Sequence, residues 1–227
     1  MKLGSLISGG KDSLFAVYLA EKEHSIECLG TMVSENKDSY MFHVPNINLT
    51  KLVAEAMQLP IIIEKTKGEK EEELADLERL LRKMKERYGI EGITTGAVAS
   101  QYQKSRVDNL CRELRLQSIA PLWQLDQKQV VQEMIESGFE IIIVAVAAEG
   151  LDESWLGRRL DKKALEDLEK LNKKYGVSFV GEGGEFDTLV IKCPMFRKKI
   201  AMKEAEKIWD ANTRSGMLLI KEAGLEQ

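Results

Sequence analysis

Strand-like apolar runs alternate with helix-like patterns through the first half of the chain. Runs with strand character occupy residues 2–8, 25–33, 60–66, 91–98 and 117–123. Between them, apolar residues recur at helical spacing over residues 14–23, 46–59, 69–89 and 100–116. This alternation predicts a parallel sheet with helices packed on both of its faces.

The second half has a different pattern. Helical spacing recurs over residues 126–138 and 161–176, with Asp126 as the predicted N-cap of the first helix and Gly176 as the end of the second. Residues 139–148 form an apolar run typical of a strand that is buried on both faces.

The rest of the second half is less clearly patterned. Residues 177–194 look like strand flanks around a glycine-rich loop, and residues 198–209 and 214–224 fit either strands or short helices. We therefore predict an α/β protein, with a doubly wound parallel sheet in residues 1–120 and a smaller α/β domain in residues 121–227. No linker marks this boundary, so we expect the two halves to pack tightly.

The junction of the first strand and the first helix reads Ser-Gly-Gly-Lys-Asp-Ser. Two glycines allow backbone N–H groups to turn toward one point, and the start of a helix adds its positive dipole end. Lys11 adds a mobile charge, whereas Asp12 would repel a phosphate unless Mg²⁺ lay between them. The alternative is a plain glycine-rich turn. We predict a site for ATP and Mg²⁺, with Asp12 as metal ligand, built from Ser8, Gly9, Gly10, Lys11, Asp12 and Ser13.

This loop is not a Walker A motif. That motif would need glycine at position 5, where the chain has Ser5, and Ser or Thr after the lysine, where it has Asp12. The sequence instead resembles the pyrophosphate loop of the N-type ATP pyrophosphatases, in the adenine-nucleotide alpha-hydrolase-like (HUP-like) superfamily. The resemblance implies ATP cleavage between the α and β phosphates, with the loop holding the leaving pyrophosphate.

Longer motifs narrow the resemblance. Residues 96–111 (GAVASQYQKSRVDNLC) and 180–196 (VGEGGEFDTLVIKCPMF) resemble signatures of the diphthine–ammonia ligases, and residues 120–123 and 147–161 match in order and spacing. The likeness covers nearly the whole chain, and the length resembles archaeal-type members. The pair Phe186-Asp187 departs conservatively from the family's aromatic residue followed by Glu or His.

The resemblance implies an ATP-dependent carboxylate–ammonia ligase. It would amidate diphthine on translation elongation factor 2 through an acyl-adenylate and give diphthamide, AMP and pyrophosphate. Lys11 and Asp12, together with Glu182 and Glu185 of the second-half loop, are the expected catalytic residues.

Other site residues follow from strand ends and from the motifs. Ligands of open α/β sheets bind at the carboxyl ends of the strands, which places adenine near Thr31, Met32, Gly96 and Ala97. Arg106 can bridge a phosphate or carboxylate; the less favoured alternative is that residues 100–116 form a plain solvated helix. The two acids of Gly-Glu-Gly-Gly-Glu suit Mg²⁺, ammonium or a trimethylammonium group, or form an exposed turn. The expected acceptor-binding residues are Tyr102, Gln103, Arg106, Gly183, Gly184 and Thr188.

Composition removes several classes of function. The net charge of −4 gives no sign of direct nucleic-acid binding, and no apolar run reaches the roughly 18 residues of a membrane span. Three widely spaced cysteines contain no CxxC pair, which disfavours sulfur transfer and favours a reducing cytoplasm. Of the two histidines, His43 is the candidate for lining the nucleotide pocket, although the pattern favours a structural role for it.

Two alternatives stay open from the sequence. One is an amide ligase of the same type that acts on another carboxylate, and the other is a regulatory module that binds ATP without turnover. The source of ammonia and the formation of a homodimer are also left open.

Overall fold

The computed structural model describes residues 1–34, 46–67 and 72–226. Its first sheet has five parallel strands in the order β3-β2-β1-β4-β5. The strands are β1 (Lys2–Leu6), β2 (Ser25–Ser34), β3 (Ile61–Thr66), β4 (Gly92–Thr94) and β5 (Gln117–Ile119). The predicted parallel sheet of the first half is confirmed.

Four helices cover both faces of this sheet. They are α1 (Lys11–Glu21), α2 (Thr50–Met57), α3 (Glu72–Tyr88) and α4 (Gln101–Glu113). Buried side chains of α3 and α4 form one apolar cluster with Met32 and Ile93, whereas those of α1 and α2 belong to a separate cluster. Two clusters on opposite faces make the sheet doubly wound, as predicted.

The second half builds a four-stranded antiparallel sheet in the order β7-β6-β9-β8. Its strands are β6 (Glu140–Val146), β7 (Phe186–Lys192), β8 (Lys199–Asp210) and β9 (Ser215–Glu226), and its helices are α5 (Gln127–Glu136) and α6 (Lys162–Tyr175). The two segments that fitted strands or helices equally well are therefore strands. They pair as a long hairpin whose outer strand, β8, is exposed from residue 203 to 208.

Helix ends follow local chemistry. The side chain of Asp126 accepts a hydrogen bond from the backbone N–H of Gln129 and caps α5, and Gly176 ends α6 with a φ of 77°. Asn46 lies before α2 but does not cap it. Its side-chain amide donates to the carbonyl of Leu218 and accepts from the N–H of Ile220, both at 2.9 Å.

The two halves share one hydrophobic core. Leu14 and Phe15 of α1 belong to the same buried cluster as Ile143 of β6, and the rings of Phe15 and Phe139 meet edge to face at 5.4 Å. The tight packing expected from the missing linker is present, and the boundary after residue 120 stays a prediction. None of the helices in the described part of the chain is long and apolar enough to span a membrane.

Candidate functional site

The loop between β1 and α1 is tied together by its two serines. Ser13 Oγ accepts from the N–H of Ser8 at 3.2 Å and donates to the carbonyl of Gly10 at 3.0 Å, while the N–H of Gly10 donates to Ser8 Oγ at 3.3 Å. Gly9 adopts a φ of 84°, which favours glycine. The loop thereby delivers the start of α1 to the carboxyl edge of the parallel sheet.

Lys11 is buried at the first position of α1, with 1% of its surface exposed. Its Nζ donates to Asp12 Oδ2 at 2.8 Å and to the carbonyl of Val180 at 2.5 Å, and lies 5.2 Å from the ring centre of Phe186. Its backbone N–H donates to Thr188 Oγ1 at 3.1 Å. One lysine therefore connects the loop of the first half to the second half.

Asp12 carries the chemistry expected of a metal ligand. Its Oδ1 is buried and has no hydrogen-bond partner among the described residues, although Oδ2 is paired with Lys11. An unpaired carboxylate oxygen suits a hard cation such as Mg²⁺. Within the described residues no cluster of three or more His, Cys, Asp or Glu side chains suits a metal, so the remaining ligands would be phosphate oxygens and water.

A cavity of about 300 Å³ opens beside Lys11 and Asp12. Its apolar lining residues include Leu6, Met32, Leu77 and Val107. Its polar lining residues include Ser8, Lys11, Asp12, Ser13 and Thr188. A nucleotide has both parts that such a lining suits, a flat apolar base and a charged polyphosphate.

The residues predicted for adenine binding line the cavity. Thr31, Met32, Gly96 and Ala97 all do so, and Thr31 Oγ1 is buried without a partner among the described residues. Gly96 also packs against the backbone of α1, because a Cβ there would lie 2.5 Å from the nitrogen of Ser13. Its lack of a side chain lets the segment after β4 and the start of α1 approach each other at the cavity wall.

The start of α4 places the predicted acceptor-binding residues differently. Gln103 lines the cavity, but Tyr102 and Arg106 do not, and the guanidinium of Arg106 stacks on the Tyr102 ring at 3.4 Å. Lys104, for which no specific role was predicted, also lines the cavity, and its Nζ pairs with Asp108 at 2.5 Å. Burial raises the pKa of Asp108, yet the hydrogen bonds from Lys104 and Ser118 outweigh it and hold that pKa below its ordinary value.

The second-half loop divides the predicted residues into two groups. Thr188 lines the cavity. Glu182 is not among the lining residues, but it lies close enough to Asp12 that burial and the Asp12 charge together raise the pKa of Glu182. Glu185 does not line the cavity, since its Oε2 accepts from the backbone N–H of Ser178 at 2.7 Å. Gly183 and Gly184 are exposed and also lie outside the cavity wall.

Sequence reasoning missed several contributors. Val180 accepts a hydrogen bond from Lys11 through its carbonyl oxygen, the ring of Phe186 lies near the Lys11 ammonium, and Leu77 is one of the apolar residues that line the cavity. Phe186 stood inside a recognised motif, which was the available signal for it. The backbone carbonyl of Val180 and the Leu77 side chain stand in no motif, so the sequence alone does not mark them as site residues.

Two other expectations concern side chains away from this loop. His43 lies outside the described residues. Cys28, Cys111 and Cys193 are free and buried, and burial raises the pKa of each thiol to about 12. Thiols with such pKa values are poor nucleophiles, which agrees with the argument against sulfur transfer.

The fold and the cavity define an α/β protein with a glycine-rich loop at the carboxyl edge of a parallel sheet. The profile described as diphthamide synthase N-terminal domain matches residues 1–118, and the C-terminal domain profile matches residues 126–225. The chain belongs to this diphthamide synthase family, as the sequence motifs indicated.

Relatives named diphthine–ammonia ligase cover nearly the same span. Those from Bos taurus and Rattus norvegicus are 40% identical to this chain, and that from Homo sapiens is 38% identical; each alignment covers 92% of this chain and 85% of the relative. A solved structure, of a predicted subunit of a tRNA methyltransferase from Methanocaldococcus jannaschii, aligns with a TM-score of 0.41 at 18% identity, covering 86% of this chain and 98% of that one. That structural likeness is too low to support a functional conclusion.

Proposed function

We propose that this chain amidates the carboxyl group of diphthine on translation elongation factor 2, with ammonia as the nitrogen donor and ATP as the activating substrate. The observation that carries the proposal is the position of Lys11, which lies in the cavity and is bound by residues of both halves. Membership of a family whose named members are diphthine–ammonia ligases supports the same reaction.

ATP would lie with its base against the apolar lining residues of the cavity and its phosphates beside residues 8–13. The diphthine carboxylate attacks the α phosphorus, the bond to the β phosphate breaks, and pyrophosphate leaves. Lys11 and the N–H groups at the start of α1 meet the negative charge that develops on the leaving group, where preorganised donors contribute most to catalysis.

Asp12 would hold Mg²⁺ through its unpaired Oδ1. When bound, the ion supplies charge neutralisation to the phosphate oxygens. Asp12 also orients Lys11 through its other oxygen.

Ammonia then attacks the acyl-adenylate, the amide C–N bond forms, and AMP leaves. The attacking nitrogen must lose a proton. Glu182 is the proposed acceptor, since burial and Asp12 raise the pKa of its carboxyl and so make it a better base.

The test is incubation with ATP, Mg²⁺, ¹⁵N-ammonium and elongation factor 2 that carries diphthine. The expected result is ¹⁵N in the modified histidine by mass spectrometry, with one AMP and one pyrophosphate for each amide. AMP formation with another carboxylate but not with diphthine would favour a different acceptor. ATP that stays bound and uncleaved with every acceptor would contradict a ligase and favour a regulatory module.

A further inference from the structure

The loop from Ser178 to Glu185 is held in shape by one serine that none of the predicted roles includes. Ser178 Oγ accepts hydrogen bonds from the backbone N–H groups of Val180 and Glu182, both at 3.2 Å. The same hydroxyl donates to Oε1 of Gln127 at 2.9 Å, and the backbone N–H of Ser178 donates to Glu185 Oε2 at 2.7 Å. The carbonyl of Ser178 also accepts from the N–H of Gly181 at 3.4 Å, so that five hydrogen bonds converge on one small residue.

These bonds hold the two loop groups that face the start of α1. The carbonyl of Val180 accepts from the ammonium of Lys11, and Glu182 lies within electrostatic range of Asp12. The N–H groups of Val180 and Glu182 are the two that Ser178 engages. The rotamer of Ser178 is in turn fixed by Gln127, the first residue of α5.

We propose that Ser178 is a positioning residue for the ligase reaction: it sets the Val180 carbonyl and Glu182 against Lys11 and Asp12, and Glu185 serves to close the loop around it. This inference rests on the proposed function. Ser178 does not line the cavity, so it acts through the loop rather than on a substrate.

The hydroxyl is the part of Ser178 that positions the loop. Removing it leaves two loop N–H groups without their acceptor and frees the Val180 carbonyl to rotate away from Lys11. Displacing an electrostatic group by about 1 Å can lower a rate by as much as about 100-fold. Since ATP still has the rest of the cavity, the loss should appear in kcat rather than in the KM for ATP.

The kinetic test compares Ser178→Ala with Ser178→Thr in the full chain. We expect Ser178→Ala to lower the kcat for amide formation by about tenfold or more with the KM for ATP nearly unchanged, and Ser178→Thr to recover most of the loss because it keeps the hydroxyl. Gln127→Ala should give a smaller loss in the same direction. Gln132→Ala, which removes an exposed bond to Glu136 on the same helix, is the matched control.

A merely structural serine would give a different result. Ser178→Ala would then melt at a lower temperature but show normal kcat when assayed well below its melting point, and that outcome would overturn the proposal. Equal losses in Gln127→Ala and Gln132→Ala would overturn it as well. If Ser178→Ala does not fold, the comparison of these two glutamine variants decides.

A second readout needs no turnover. Lysine acylation followed by mass spectrometry should label Lys11 slowly in the native chain, where it is 1% exposed, relative to Lys170, whose side chain is 70% exposed. In Ser178→Ala, Lys11 should become labelled faster while Lys170 does not change. Unchanged labelling would count against the positioning role even if the chain amidates a different acceptor. A native chain that makes no amide, with Lys11 labelled faster in Ser178→Ala, would separate failure of the proposed function from failure of this inference.

Discussion

The ammonium group of Lys11 has three N–H donors, and two of them are engaged by Asp12 and Val180. Among the described residues the third donor has no hydrogen-bond acceptor, so it can serve a phosphate oxygen of a bound nucleotide. Burial strengthens each of these interactions, because the surrounding medium screens charge less than water does. The residue is therefore built to act on charge that develops inside the cavity.

Replacing Lys11 by alanine should remove this stabilisation. We expect Lys11→Ala to lose roughly 2–4 kcal/mol of transition-state stabilisation, by comparison with other charge-stabilising donors. The measurement is kcat/KM for acceptor-dependent AMP formation. Lys22→Ala, at the exposed end of the same helix, should be unaffected. Normal turnover by Lys11→Ala would remove Lys11 from the mechanism.

The two acids of the glycine-rich loop should respond differently to the same change. Glu182→Gln removes the proposed base, and we expect amide formation to fall at least about tenfold, with melting shifted by no more than a few degrees. Glu185→Gln keeps an oxygen that can accept from the N–H of Ser178, so its activity should fall less. Paired melting and amidation assays of both variants check this. Equal losses, or a larger loss in Glu185→Gln, would restore Glu185 as a catalytic residue.

Among the elements, the contact of α1 with the segment that follows β4 depends on a missing side chain. A methyl group at Gly96 would lie 2.5 Å from the nitrogen of Ser13, so Gly96→Ala should push the start of α1 from its place and weaken ATP binding. Equilibrium dialysis with radiolabelled ATP measures this. Gly224→Ala is the control, because its nearest neighbour, the side chain of Lys203, lies 3.5 Å away. Unchanged ATP affinity in Gly96→Ala would show that the contact does not shape the site.

The elements predicted best from the sequence were those whose apolar residues follow a single clear period. The alternation of strands and helices in residues 1–120 and the glycine pair before Lys11 predicted the parallel sheet and the position of its loop. The hairpin of β8 and β9 was ambiguous, because its Lys, Glu and Ala residues suit an exposed helix as well as an exposed strand. Glu182 and Glu185 could not be told apart, since only the folded loop turns one toward Asp12 and the other toward Ser178.

For the whole molecule, the core shared by α1 and β6 predicts cooperative unfolding. Phe15 and Phe139 pack together, and neither half can bury its side of that contact alone. We expect one calorimetric transition, with the van't Hoff and calorimetric enthalpies in agreement. Two resolved transitions would instead mean that the halves fold as independent domains.

Acid should weaken the second sheet through Glu140. The hydrogen bond from Lys199 is the largest cause of a lowered pKa for Glu140, with partial burial opposing it and Arg159 and Lys192 adding attraction. Because the folded pKa lies below the ordinary 4.5, this stabilisation is complete above that pH and is lost as the pH falls through the folded value.

Melting curves between neutral pH and about pH 3 test the effect. The melting temperature of the native chain should fall more steeply on acidification than that of Lys199→Met. Lys203→Met, which breaks an exposed pair with Glu222 on the same hairpin, should behave like the native chain. Parallel curves for the native chain and Lys199→Met would contradict the role of Glu140.

The amide of Asn46 has a consequence for solubility. β6 pairs with β9 at Met217 and Gly216, and within the described residues no strand pairs with the inner margin of β9 beyond them. Asn46 occupies two of its main-chain groups, at Leu218 and Ile220, and so stands where an intruding chain would begin to pair. Open strand margins seed aggregation. The Asn46 side chain therefore blocks strand pairing at this margin. Its removal should make concentrated protein prone to self-association even while the fold persists.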